Sequence, residues 1–286
     1  MEKSAILSAL AAEVKQGKLF FSTSANTAIT IKNKLEDPDY SLDAVVRLIQ
    51  AEPLLAAKVV GIANSVIFNR SGKDITDVRS AVSLIGMRTV RNLATAIVVQ
   101  QLAGTQTKNP MVTQLWQHST HVAALAQVIA RHVTKQNPDT AMFAGMIHEI
   151  SWFYLLSREK YFPGLMDESI ASAWSTDADL ENETELECEI QIGSAILEAL
   201  LVPTPVMEGI VCLWEGYLSS PCTTLGDTLL FANEIATIKS PFKLPSDQTG
   251  DDIMYALHSL IDQKSLQELL KESEHEVKAL VKALSA

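Results

Sequence analysis

Ala144-Gly145-Met146-Ile147-His148-Glu149-Ile150 sets a histidine and a carboxylate side by side inside an apolar run. Such a pair is costly to bury without partners, so the question is what can lie opposite it. Upstream, Met111 to Val133 reads as one long helix. Asn137-Pro138-Asp139 stops the chain and restarts it as an apolar helix from Ala141 to Leu156. The first of these helices carries His118, His121 and His132, and His118, Val122, Leu125, Ile129 and His132 fall on one stripe. His118 and His132 are separated by about 21 Å of helix, too far for one ion to hold both. His118 and His121, at i and i+3, could share an ion only with ligands from another helix. Taken singly, each of these histidines reads as an ordinary hydrogen-bonded side chain.

The rest of the chain is helical by the same periodicity. Ser41 can cap a helix with Leu42, Val45, Val46 and Ile49 on one face, and Glu52-Pro53 opens the next. Leu54 to Ala63 is apolar nearly all round, which implies deep burial, and Asn64-Ser65 stop it before a polar loop at 69–73. Thr76 or Asp77 caps a helix through Val78, Ala81, Val82 and Ile85; Gly86 breaks it, and another helix runs from Arg88 to Leu102. The polar connector from Gly104 to Pro110 is the best internal boundary. Acidic residues occupy every odd position from Asp177 to Glu189, read here as an acidic loop entering a helix from Leu186 to Leu201. Val206 to Tyr217 and Thr224 to Ile238 are two further helices, and Asp251 to Ala286 holds two amphipathic ones.

Composition agrees with an all-α fold, with 47% hydrophobic residues but only 12 Gly and 10 Pro in 286. No stretch of about 18 uninterrupted apolar residues suggests a membrane span, and Met1 to Val14 lacks the apolar core and cleavage site of an export signal. The three cysteines, Cys188, Cys212 and Cys222, form no CxxC pair, which fits a reducing cytoplasm. A net charge of -11 makes nucleic acid a poor default partner.

Spaced motifs give the pattern a family. Trp116-Gln117-His118-Ser119, a long apolar helix, and then Ala144 to Ile150 are similar to the HD superfamily, where a first histidine precedes an adjacent His-Asp pair. Glu52-Pro53-Leu54 with Ile62-Ala63-Asn64-Ser65, Ser80 to Gly86, Val90-Arg91-Asn92-Leu93, and Gln191 to Leu197 with Pro203 resemble, in order, the signature segments of the HDOD family. The resemblance covers roughly residues 20 to 240. It implies an N-terminal helical subdomain (1–106), a degenerate HD-like helical bundle (107–240) and a C-terminal helical extension (241–286).

An active HD hydrolase needs a His, the His-Asp pair and a distal Asp for one metal, with more histidines for a second. Here Glu149 replaces the paired aspartate. Glu189 falls where relatives often carry a histidine, Leu213-Trp214 where they carry two, and Asn233 at the distal aspartate. An amide is a much poorer ligand than a carboxylate, and Leu and Trp do not ligate. His118, His148 and Glu149 remain as metal candidates, with Asp227 a distant substitute. The resemblance therefore implies a non-catalytic output module in bacterial signalling, without cofactor, acting through contacts with other signalling proteins. The alternative is a phosphohydrolase using a divalent metal at a reduced site. A third reading takes Asp77 to Leu102 as a helix-turn-helix, with Arg88 and Arg91 as binding candidates beside Thr89 and Asn92. Against it, that helix continues as Leu93, Ala94, Ala96, Ile97, Val98 and Val99, a core face. Arg88 and Arg91 read more simply as partners of carboxylates across the two subdomains.

Overall fold

The computed structural model describes residues 3–19, 29, 32–37, 41–50, 53–70, 72–102, 110–158, 181–200, 202–242 and 250–285. Among them the fold is all-α, with thirteen α-helices and no strand. The N-terminal part comprises α1 (Lys3–Lys15), α2 (Leu42–Gln50), α3 (Pro53–Ala63) and α4 (Val78–Leu102). The middle holds α5 (Pro110–Ile129), α6 (Pro138–Ile147), α7 (Ile150–Arg158), α8 (Glu181–Ala199), α9 (Thr204–Glu215) and α10 (Leu225–Ile235). Three helices close the chain: α11 (Gly250–Leu260), α12 (Gln263–Glu272) and α13 (Glu274–Ser285).

Local signals set these boundaries. Pro53 stands at the first position of α3, where its missing N–H removes no helical bond. Asn137 accepts from the Thr140 N–H to cap α6, and Thr224 with Asp227 forms a reciprocal capping box on α10; each such cap stabilises by about 1 kcal/mol. The tail holds three helices where periodicity suggested two, because Asp262 caps α12 and the chain starts again at Glu274. The acidic alternation also resolves differently from expectation. The helix begins at Glu181, five residues before Leu186, so the acids from Glu181 onward are helical; residues 177–180 lie outside the described residues.

Gly86 breaks α4 as expected, at φ 81° and ψ 156°, a conformation that L side chains rarely adopt. Val78–Gln100 is long and apolar enough to cross a membrane by length and composition. That segment is instead kinked at Gly86 and mostly buried, with Val90, Leu93, Ile97, Val98 and Val99 in the core.

The core is centred on α5, which packs against α6, α10 and the C-terminal helix α13. α4 meets α6 and α7, joining the N-terminal layer to the bundle, whereas α1 lies mainly on α8. α13 returns to fill the space between α3 and α5. A single apolar cluster runs through all these contacts, each fully buried aliphatic or aromatic side chain contributing about 1.5–3 kcal/mol.

Candidate functional site

A close approach of two backbones brings the site together. A Cβ on Gly145 would lie 2.7 Å from Ala123 Cα and 2.9 Å from Ala123 N, so only glycine lets α6 settle this tightly on α5. That contact carries His148, at the C-terminal cap of α6, to His118 on α5. Glu149 occupies the turn between α6 and α7. Its carbonyl accepts from the Phe153 N–H, which places its carboxylate at the favourable N-terminal end of α7.

Three ligand-type atoms then converge. His118 Nε2 and His148 Nε2 are 3.3 Å apart, and Glu149 Oε1 lies 3.5 Å from the first and 3.7 Å from the second. The tautomers follow from the other ring nitrogens. His118 Nδ1 donates to the Ile238 carbonyl at 2.7 Å, and His148 Nδ1 donates to the Gly145 carbonyl at 2.7 Å. With Nδ1 protonated in each neutral ring, both Nε2 atoms present lone pairs to each other and to the carboxylate. Burial holds both rings neutral, pushing His118 down to about 4 and His148 to about 3. A proton or a cation held among these electron pairs relieves their repulsion.

This donor set fits one divalent ion. Tetrahedral bonds of about 2.0–2.1 Å give ligand-to-ligand edges of about 3.4 Å, close to the three separations found. His118, His148 and Glu149 are the cluster of potential metal ligands among the described residues. The ion would supply a Lewis acid able to lower the pKa of a bound water.

The surroundings limit what such an ion could do. His118 is 1% exposed, and His148 and Glu149 are 0% exposed. Trp214 donates its indole N–H to the His148 backbone carbonyl at 2.8 Å, which fixes the peptide that carries the pair. Gly193 makes room for that ring, because a Cβ there would come within 2.4 Å of Trp214 and 2.3 Å of Ser151 Oγ. Glu189 lies beside Ser151, Trp152 and Trp214 around a void of only about 10 Å³, outside the three-atom cluster.

Other residues singled out from sequence take different places. Asn233 is buried near His118, so the position of the distal aspartate does reach the site, as an amide. Asp227 does not substitute for it: its carboxylate accepts from the Ser219 and Thr224 N–H groups and hydroxyls, which makes it a helix cap. His121 Nδ1 accepts from the Ile238 N–H at 3.4 Å, so His118 and His121 hold the two peptide groups on either side of Ile238 rather than a shared ion. His132 leaves the stripe because residues 130–134 form a π-turn, whose wider winding turns His132 to solvent. The clamp on Ile238 and the Trp214 contact carry no sequence signal beyond Gly193, since both end on backbone groups.

Arg88 pairs with Asp139 at 3.6 Å, from α4 to the start of α6. Arg91 pairs with Glu36 at 3.8 Å, inside the N-terminal part.

Solved structures share the fold. One, from Shewanella amazonensis SB2B and provisionally described as a metal-dependent phosphohydrolase, aligns over 99% of this chain and 100% of its own, with 20% identity and a TM-score of 0.69. An HDOD domain protein with unknown function from Geobacter sulfurreducens aligns over 96% of this chain and 97% of its own, at 22% identity and a TM-score of 0.65. A third, from Marinobacter aquaeolei VT8 and provisionally described as a signal transduction protein, covers all of this chain and 67% of its own, at 18% identity and a TM-score of 0.60. No curated protein matches the sequence. The HDOD domain model matches residues 22–215, more than half of the chain, and the protein belongs to the HDOD family.

Proposed function

We propose that this protein is a non-catalytic regulatory output module that acts through contacts with other bacterial signalling proteins. The observation that carries the reading is the burial of the remnant HD cluster, whose three surviving donors are 0–1% exposed. Phosphoester hydrolysis needs an approach for substrate and an open coordination position for water. Dinuclear hydrolysis also needs ligands at positions held here by Leu213, Trp214 and Asn233. The description of the Marinobacter relative as a signal transduction protein agrees with a regulatory role.

A second reading, a hydrolase with one ion, draws on the near-tetrahedral spacing of His118, His148 and Glu149. Elemental analysis of the purified protein and a nucleotide panel with added manganese separate the two. The regulatory reading expects no more than one ion per chain and no phosphate release. Phosphate release that disappears in His148→Ala would establish the enzyme instead.

A further inference from the structure

The Asn64-Ser65 pair that ends α3 also builds a frame. Asn64 Nδ2 donates to the carbonyls of Val60 at 3.1 Å and Ile75 at 2.7 Å, while its Oδ1 accepts from the Ile75 N–H at 2.8 Å. Asn69 Nδ2 donates to the Lys73 carbonyl at 2.7 Å, and Ser65 Oγ donates to the Ile62 carbonyl at 2.7 Å. These bonds pin both ends of the loop between α3 and α4 and tie its middle across, so its surface is set before any partner arrives.

Between this loop and the first half of α4 lies an open groove of about 720 Å³. Phe68, Ile75 and Leu84 give it an apolar lining, and Arg70 and Arg79 also line it. Leu84 is 43% exposed, as is Val66 of the same loop. Large apolar side chains held out on a stiffened surface mark a contact site. The charged side chains that line the groove are both cationic, Arg70 and Arg79, in a chain of net charge -11.

We infer that this groove docks a partner protein through an acidic amphipathic segment. Apolar side chains of the segment rest on Phe68, Ile75 and Leu84, and its carboxylates meet Arg70 and take the place of Asp43 on Arg79. Asp43 and Arg79 form an ion pair whose side chains are 60% and 55% exposed, so that exchange is open to a competitor. Anchors at i, i+3 and i+4 set into an apolar groove are a recurring mode of peptide recognition. Nucleic acid fits less well, because the lining is apolar, Arg88 already faces Asp139, and Arg91 faces Glu36. The inference rests on the regulatory reading and names its partner surface.

The test is selection of a displayed random 16-residue peptide library on the immobilised full chain, with the selected peptides then synthesised and titrated. Enriched peptides should combine Leu, Ile, Phe or Met anchors with Asp and Glu. Leu84→Asp and Arg70→Glu should each weaken binding about tenfold or more, and both exposed positions should keep the thermal melt unchanged. Asp43→Ala should tighten binding by about two- to fivefold by releasing Arg79. No enrichment, enrichment of basic peptides, or binding indifferent to Leu84→Asp and Arg70→Glu overturns the inference. So does a DNA duplex whose binding is lost in the same two variants. Peptides cross-linked to another face overturn the groove but leave the protein-contact reading standing. Phosphate release abolished by His148→Ala removes that reading itself.

Discussion

Two buried polar clusters flank one turn of α5, and they are opposites. Trp116 and His118 are two residues apart on that helix. On the Trp116 side, Lys58 of α3 is 2% exposed; its ammonium donates to the Leu284 carbonyl in the last turn of α13 and lies 5.3 Å from the centre of the Trp116 ring. A helix C-terminus and an aromatic face both favour a positive charge, so this cation has its counterpart built in. On the His118 side, two lone pairs and a carboxylate oxygen face one another, and the counterpart they fit is a cation from outside. Burial disfavours charge in both places, lowering Lys58 to about 8 and His118 to about 4. The contrast teaches that a helical core can hold ionisable groups in two ways: by enclosing the partner, or by shaping a place for one.

The strongest way to break the contrast is Gly145→Ala. The added Cβ meets the Ala123 backbone, which cannot yield as a side-chain tip would. A loss of about 3 kcal/mol or more in urea unfolding is expected, with the histidine pair separated. Hydrogen exchange in α13 should stay near wild type, because the Lys58 end is untouched. If Gly145→Ala unfolds both ends equally, the two clusters are one unit.

Lys58→Ala acts on the other side. It leaves the buried Leu284 carbonyl without its donor, which costs about 1–3 kcal/mol. Amide exchange should rise across α13, while any stabilisation by added zinc, read as a shift in melting temperature, should persist. Loss of the zinc response in this variant contradicts independent sites.

A third test sharpens the comparison through pH. Folded Lys58 releases its proton near 8, whereas the unfolded chain holds it to about 10.5. Between those values the unfolded state binds more protons, so wild type gains stability relative to Lys58→Met as pH rises from 8 to 10.5. Below pH 8 the difference is flat. The gain is bounded by about 3 kcal/mol, and a difference that shrinks over this window reverses the assignment.

The fold was largely legible because its cues are local. Apolar periodicity, the Gly86 break and the Asn137-Pro138 restart all act within a few residues, and the structure keeps them. The ligand-type residues His118, His148 and Glu149 were legible from motif order alone. What periodicity missed depends on winding or on distant backbone. The π-turn at 130–134 adds a residue to one helical turn and throws His132 outward. Alternating acids look the same in a strand, a loop or a helix, and tertiary packing of α8 on α1 and α7 selects the helix. Asp227 looked like a spare ligand because a capping carboxylate and a coordinating one share the same chemistry. Lys58 gave no signal, since its acceptor lies 226 positions away.

That last separation has a consequence for biosynthesis. Ribosomes add roughly 5–20 residues per second, so Leu284 follows Lys58 by about 10–45 s of translation. During that interval the nascent N-terminal helices carry an ammonium whose acceptor has not yet been made. Until α13 emerges, the space between α3 and α5 stays open to water and to chaperones, and a helix made long before α13 is among the last to become dry.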